Sequence, residues 1–305
     1  MELSPFAPVI IPTLCRYDHF RRCVESLSRC THASETDLFI ALDYPLKDTH
    51  RPGYEQLKEY IPTITGFRNV TVHSREHNIG CRQNIADMRD YCFSLGYDRY
   101  ILSEDDNEFA PNFLDYINKG LNLFEDNPSV YAVSGYTPPV EMKDYTKNAY
   151  ATYNYSAWGV GLWKSKLFIH TRQWAISILH SPRKSWKIFR TEPRVLYTLL
   201  RMINKRMLYG DTCTVAYSIL NGLYSVAPTV SKVRNWGNDG SGINCVKISD
   251  TKYEDQMIDT AQVFDFDDIT VENINMKSLN HHASLMWQQW VKFPYQILRF
   301  WLFNA

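Results

Sequence analysis

Neither charge sign is in excess along this chain of 305 residues, where 33 Lys and Arg stand against 33 Asp and Glu. The long-range positive field that draws proteins onto nucleic acid is therefore missing, and nucleic acid is not an expected partner. No Cys-x-x-Cys pair occurs among the seven cysteines, which stand at 15, 23, 30, 81, 92, 213 and 245. An odd, widely spaced set argues against a zinc knuckle or a disulfide framework and points to a reducing compartment. No stretch reaches the roughly 18 uninterrupted apolar residues that a membrane-spanning helix needs. The first residues also lack the basic-then-apolar order of a secretion signal, so the expected location is cytoplasmic. Internal repeats and low-complexity tracts are absent as well. What is present is a 45% hydrophobic composition, enough to fill a large core and to exclude disorder as the dominant state.

The first 135 residues alternate short apolar runs with amphipathic stretches, the pattern of strands joined by covering helices in a mostly parallel sheet. Strands are expected at 9–11, 38–42, 70–72, 100–102 and 130–133. Phe20, Val24 and Leu27 make one helical stripe behind Asp18, a suitable N-cap. Ile85, Met88 and Cys92 line a second helix; Pro111 suits the first turn of a third, carrying Phe113, Leu114, Ile117 and Leu121. Beyond Gly135 the texture shifts to tyrosine, tryptophan, glycine and basic residues. The segment 286–303 mixes aromatics with Lys292 and Arg299. That composition fits either a helix lying in a membrane interface or one docked on the core, with Pro294 interrupting any long helix.

Ser103-Glu104-Asp105-Asp106 puts three consecutive acids directly after an apolar strand. In an open parallel sheet the carboxyl ends of strands face the ligand crevice, so these acids point to a site rather than to bulk solvent. Like charges so close repel unless a cation sits among them, and oxygen donors favour a hard ion such as Mg²⁺ or Mn²⁺. A solvated acidic turn capping the next helix is the plainer alternative. Asp43 ends the second strand and belongs to the same edge. Pro12, Thr13 and Arg16 follow the first strand and could hold the base or phosphate of a nucleotide. After the third strand, Asn78 and Arg82 flank Gly80 at a helix opening, a position that attracts phosphate. Trp158, Gly159 and Gly161 suit a wall for a sugar ring, because glycine permits close approach and aromatic faces pack on pyranose C–H groups. Lys232, Arg234 and Asp239 belong to a glycine-rich stretch with the composition of a mobile loop. His281 and His282 have no fixed location relative to these groups.

Taken together, the opening Pro-Val-Ile-Ile-Pro-Thr with its arginine, the aspartate after the second strand, the His-Asn-Ile-Gly loop and the acidic triplet resemble a glycosyltransferase of the GT-A fold, near family 2. Residues 104–116 and 127–134 are similar to the corresponding stretches of N-acetylglucosaminyltransferase I. The resemblance covers roughly 8–165 and reaches more faintly to 245. It implies a Rossmann-like α/β domain over 1–245, with a nucleotide-binding half at 1–135, an acceptor half at 136–245, and a C-terminal extension at 246–305. It also implies that Asp106 binds Mn²⁺ or Mg²⁺, that Asp105 approaches the ribose, that Glu104 meets the donor sugar, and that Asp43 reads the base beside Thr13 and Arg16. Asp211, ahead of the helical pattern Val215, Ile219 and Leu220, becomes the candidate general base, although an aspartate there is also a good N-cap. The expected donor is a nucleotide sugar, UDP favoured, and the acceptor a carbohydrate, with peripheral membrane contact through 286–305. The alternatives are a non-catalytic carbohydrate-binding protein on the same fold and a sugar-phosphate nucleotidyltransferase, whose usual glycine-rich loop after the first strand is missing here.

Overall fold

The computed structural model describes residues 3–140, 142, 145–242, 253–266 and 284–304; His281 and His282 lie outside them. Four parallel strands build its first half: β1 (Val9–Thr13), β2 (Asp37–Leu42), β3 (Asn69–Ser74) and β4 (Arg99–Leu102). Later strands β6 (Val130–Ser134), β7 (Ala149–Thr152), β8 (Val160–Trp163) and β9 (Tyr224–Pro228) extend them into one mixed sheet of order β3-β2-β1-β4-β8-β6-β9-β7. A separate ribbon pairs β5 (Asn107–Phe109) antiparallel with β10 (Val233–Asn235).

Both faces of β1, β2 and β4 are covered, which is why these strands read as apolar runs, whereas the edge strand β3 alternates apolar with polar residues and is only partly buried. Val9, Ile11, Leu38 and Ile40 point to one face, against Phe20, Val24 and Leu27 of α1 (Tyr17–Ser28) and Leu114, Ile117 and Leu121 of α4 (Phe113–Leu123). Ile10, Phe39 and Leu102 point to the other, against Met88 and Cys92 of α3 (Cys81–Ser94). Between β2 and β3 lies α2 (Arg51–Tyr60). Helices α5 (Arg172–Leu179), α6 (Pro182–Thr191), α7 (Pro193–Asn204) and α8 (Gly210–Asn221) enclose a second core.

Three local expectations differ from the structure. Asp18 lies inside the first turn of α1, and Arg16 takes the N-cap position without capping, its side chain being drawn to the acids described below. Pro111 precedes α4, which opens at Phe113. Pro294 does not break the last helix, α9, which runs through it from Trp287 to Asn304. Phe293 and Phe300 of α9 are buried in the core of α5–α8, and the Asn204 side-chain amide donates to the Gln296 carbonyl at 2.9 Å. That docking holds the helix across the hydrogen bond proline cannot donate. The segment 253–266 instead packs on the first core through Phe264.

Candidate active site

Parallel pairing puts the ends of β1, β2 and β4 on one edge: Thr13 pairs with Leu42, Asp43 follows at once, and Ile10 pairs with Leu102 just before the triplet. Thr13 Oγ1 donates to Asp105 Oδ2 at 2.9 Å. Arg16 lies between two acids, its Nη2 on Asp105 and its Nη1 2.8 Å from Asp106 Oδ2. The guanidinium thus supplies the positive charge that the repulsion among these carboxylates demands, instead of facing outward to a base or phosphate. Burial pushes the Asp105 carboxyl up, and the Arg16 charge opposes the push. Glu104 is raised by burial first and then by Asp106, Asp211 and Asp105, while its Oε2 accepts the Trp158 indole N–H at 3.0 Å.

Asp106 is also held by residues 235–237. Asn235 Nδ2 donates to its Oδ1 at 2.6 Å, and the Trp236 amide donates to its carbonyl at 2.9 Å. Gly237 packs so closely that a Cβ there would stand 2.1 Å from Asp106 Oδ2. Asp43 spends its carboxylate on the following loop: Oδ1 accepts from the amides of Tyr44 and Ile79, and Oδ2 from that of Gly80 at 2.9 Å. Asn78 adds a bond to the Tyr44 carbonyl at 2.7 Å. Gly80, at φ 80°, makes the left-handed turn into α3 that other residues rarely adopt. Asp43 and Asn78 therefore shape this side of the crevice.

Several expected contacts lie elsewhere. Arg82 donates to the His170 carbonyl at 2.7 Å, bridging α3 to the chain ahead of α5. Lys232, expected on a mobile loop, is 1% exposed and ion-paired with Asp259, with its ammonium over the Phe264 ring. A fully buried, paired lysine cannot meet a phosphate. Arg234 is bound to the Gln256 carbonyl and faces Glu108 at 3.4 Å. Asp239 stands 2.9 Å from His19 Nε2; against some burial, the bonds from Ser241 and His19 hold its carboxyl down at about 2. Gly159 and Gly161 line no open pocket. A Cβ would strike Phe113 at 2.7 Å from the first and Ile117 at 2.7 Å from the second, so these glycines let α4 lie close on β8. Trp158 alone of that group reaches the acids.

Asp211 stands in a cavity of about 250 Å³ beside the triplet, with Asn154, Tyr155, Glu192 and Arg194 among its lining. It sits in the first turn of α8, but the N-cap is Tyr209 and no side chain caps there, so the capping role fails. The residue is solvent-accessible and lines the cavity; the surrounding protein pushes its carboxyl up to about 6 against the Ala157 amide bond that lowers it. Burial likewise lifts Glu192 to about 7, with Arg194 opposing. Glu192 escaped the sequence reading although it is the lone acid from 164 to 206. Asn235 and Gly237 also escaped it, for Asp106 lies 129 residues before Asn235 and nothing local links them.

Cys81 also escaped the sequence reading. It is an exposed residue at the start of α3, and the protein packed around its thiol first, then the charges of Glu104, Asp105 and Asp43, push the thiol up to about 12. Among the described residues it is the one exposed thiol. A maleimide should therefore react with Cys81 slowly at neutral pH. UDP with Mn²⁺ should slow it further, by at least about fivefold, as read by peptide mass mapping; an unchanged rate would separate this crevice from nucleotide binding.

A hard divalent ion is the expected partner of Asp106. Among the described residues no three His, Cys, Asp or Glu side chains gather as a complete metal shell. Ions of the Mg²⁺ type need only one or two carboxylates when substrate phosphates and water complete the shell, and Asp105 and Asp106 form such a pair. The donor set fits the ion on condition that Arg16 and Asn235 give up their hold.

Neither a protein-family model nor a curated protein matches the chain. Among solved structures it is similar to a mannosyltransferase of Pyrobaculum calidifontis in complex with GDP-Man and Mn²⁺, at 11% identity over 72% of this chain and 71% of that one, TM-score 0.38. It is similar to GalNAc-T7 with UDP, GalNAc and Mn²⁺ at 14% identity, spanning 75% of this chain but 44% of that one, TM-score 0.42. S. aureus TarS 1-349 matches at 14% identity over 71% of both chains, TM-score 0.37.

Proposed function

We propose that the chain is a GT-A, family 2-like glycosyltransferase. On this reading it moves a hexosyl or N-acetylhexosaminyl group from a nucleotide sugar, UDP favoured, to a carbohydrate acceptor, with inversion, in surface polysaccharide or glycan assembly. The observation that carries the proposal is the placement of Asp211 in a cavity beside Glu104, at the crevice where Thr13, Asp43 and the triplet converge. An acceptor hydroxyl in that cavity loses its proton to Asp211, and its oxygen attacks the anomeric carbon as the nucleoside diphosphate departs. Glu104, steadied by the Trp158 indole, offers an acceptor oxygen to donor-sugar hydroxyls. Glu192 and Arg194 offer charged hydrogen-bonding partners to the acceptor. A divalent ion held by Asp106 and Asp105 would neutralise the diphosphate's charge.

No helix among the described residues is long and apolar enough to cross a membrane. We place the enzyme in the cytoplasm, working on an acceptor carried by lipid at a membrane's inner face. One observation favours a non-catalytic, carbohydrate-binding reading instead: the closed Arg16–Asp105–Asp106 ion pairing. A screen of nucleotide sugars for Mn²⁺- or Mg²⁺-dependent hydrolysis, with calorimetry of UDP and GDP, separates the two. Hydrolysis of one donor with metal-dependent nucleotide binding supports transfer; absence of both overturns it.

A further inference from the structure

Helix α9 is docked the wrong way round for a helix of a water-exposed core. Its buried stripe is only Phe293 and Phe300 with the partly covered Gln289 and Gln296, whereas Trp287, Trp290, Val291, Leu298, Trp301 and Leu302 are exposed. At 3.6 residues per turn these six fall in one sector of about 120° beside the docked stripe. Lys292 and Arg299 flank the opposite side. Monomers rarely leave so continuous an apolar face in water.

The face does not end with α9. Trp186 of α6, 60% exposed, stacks on Phe189 with centroids 5.7 Å apart, and Phe189 meets Trp290 at 6.0 Å and Phe293 at 5.8 Å. Around Trp186, α6 presents Arg183, Lys184, Lys187 and Arg190 to solvent. In a chain with no net charge, 164–206 holds 11 Lys and Arg against the single acid Glu192, and 284–304 holds no acid at all. Positive charge is thus concentrated where the apolar rings are exposed.

We propose that the joined outer faces of α6 and α9 form a docking surface for an anionic lipid bilayer, with the aromatic rings at headgroup depth and the α6 cations on lipid phosphates. A second copy of the chain fits less well, because a two-fold contact through this face would set the cations of α6 near their own images. The surface also adjoins the chemistry. Glu192, at the junction of α6 and α7, lines the cavity that holds Asp211, so a sugar tethered to lipid would reach the base from the side where the chain is docked. The inference rests on the sugar-transfer reading for its purpose alone.

Sedimentation of the full chain with vesicles tests it. Binding to mixed phosphatidylcholine and phosphatidylglycerol should exceed binding to phosphatidylcholine alone by at least about tenfold, and salt should weaken it. Val291→Glu/Leu298→Glu/Leu302→Glu, three outward changes, should lose that binding by about the same factor. Arg183→Gln/Lys184→Gln/Arg190→Gln should lose the preference for anionic lipid. Unchanged melting curves for both variants establish that they fold. Equal binding to both vesicles, or undiminished binding by the triple-glutamate variant, overturns the proposal. So does a lipid-free dimer that this variant disperses. Calorimetry of UDP with Mn²⁺ on the same samples keeps the readings apart: vesicle binding without nucleotide binding leaves the surface standing and removes the sugar-transfer reading, and the reverse result removes only the surface.

Discussion

Asp211→Asn should lower turnover by about 10² to 10⁴ while leaving nucleotide binding nearly intact, the split expected when a general base is lost but the donor site is kept. Asparagine keeps the size and the bond from the Ala157 amide but cannot take a proton. The pH profile sharpens the test. A base works only when ionised, so turnover should fall as the pH drops through about 6, where the cavity has lifted this carboxyl. Stability should run the opposite way. A carboxyl whose pKa is higher folded than unfolded contributes stability that is present below the unfolded value and lost as pH rises through the folded one. The ionised aspartate is thus a liability at neutral pH, and Asp211→Asn should melt no lower than the parent there. A structural aspartate would give the contrary pattern: a lower melting temperature and turnover that follows folding. Steady-state kinetics, calorimetry and thermal melts across pH 5 to 8 distinguish the two.

The strands around this site were legible because they are buried on both faces: Leu38-Phe39-Ile40-Ala41-Leu42 has no other reading, and the acids that follow such runs mark the crevice edge. What sequence could not show was where each charge finds its partner. Lys232 has the composition of a lid residue, but its counter-charge Asp259 lies 27 positions later and draws it into the core. Arg16 reads equally well as a phosphate ligand or a carboxylate ligand, since a guanidinium suits both; the fold brings it to Asp105 and Asp106. Gly159 and Gly161 announce close approach but not by what, and the visitor is α4. Pro294 argues for a break only if the helix lacks other support, and Phe293, Gln296 and Phe300 provide it. Each difference is a long-range contact overriding a local preference.

Charge balance at the triplet gives the other large effect. Removing the guanidinium in Arg16→Ala leaves two buried carboxylates facing each other without their cation. Breaking a buried pair in this way costs about 3 kcal/mol or more. The melting temperature should drop sharply in metal-free buffer, and Mn²⁺ should restore most of it, because the ion enters the place of the lost charge and binds only the folded chain. Asp106→Ala should behave in the opposite sense: Arg16 keeps one partner, folding survives, and Mn²⁺-dependent UDP binding falls by at least about 100-fold. Gly237→Ala tests the geometry without removing a charge, since its Cβ falls 2.1 Å from Asp106 Oδ2 and must push that carboxylate aside. It should weaken Mn²⁺-dependent UDP binding as Asp106→Ala does, while leaving UDP alone to bind as it does to the parent. Melting curves with and without Mn²⁺, beside calorimetry of UDP, read all three. If Mn²⁺ fails to rescue Arg16→Ala, the acids serve the fold through their arginine and hold no ion, and the divalent-metal part of the mechanism falls with that result.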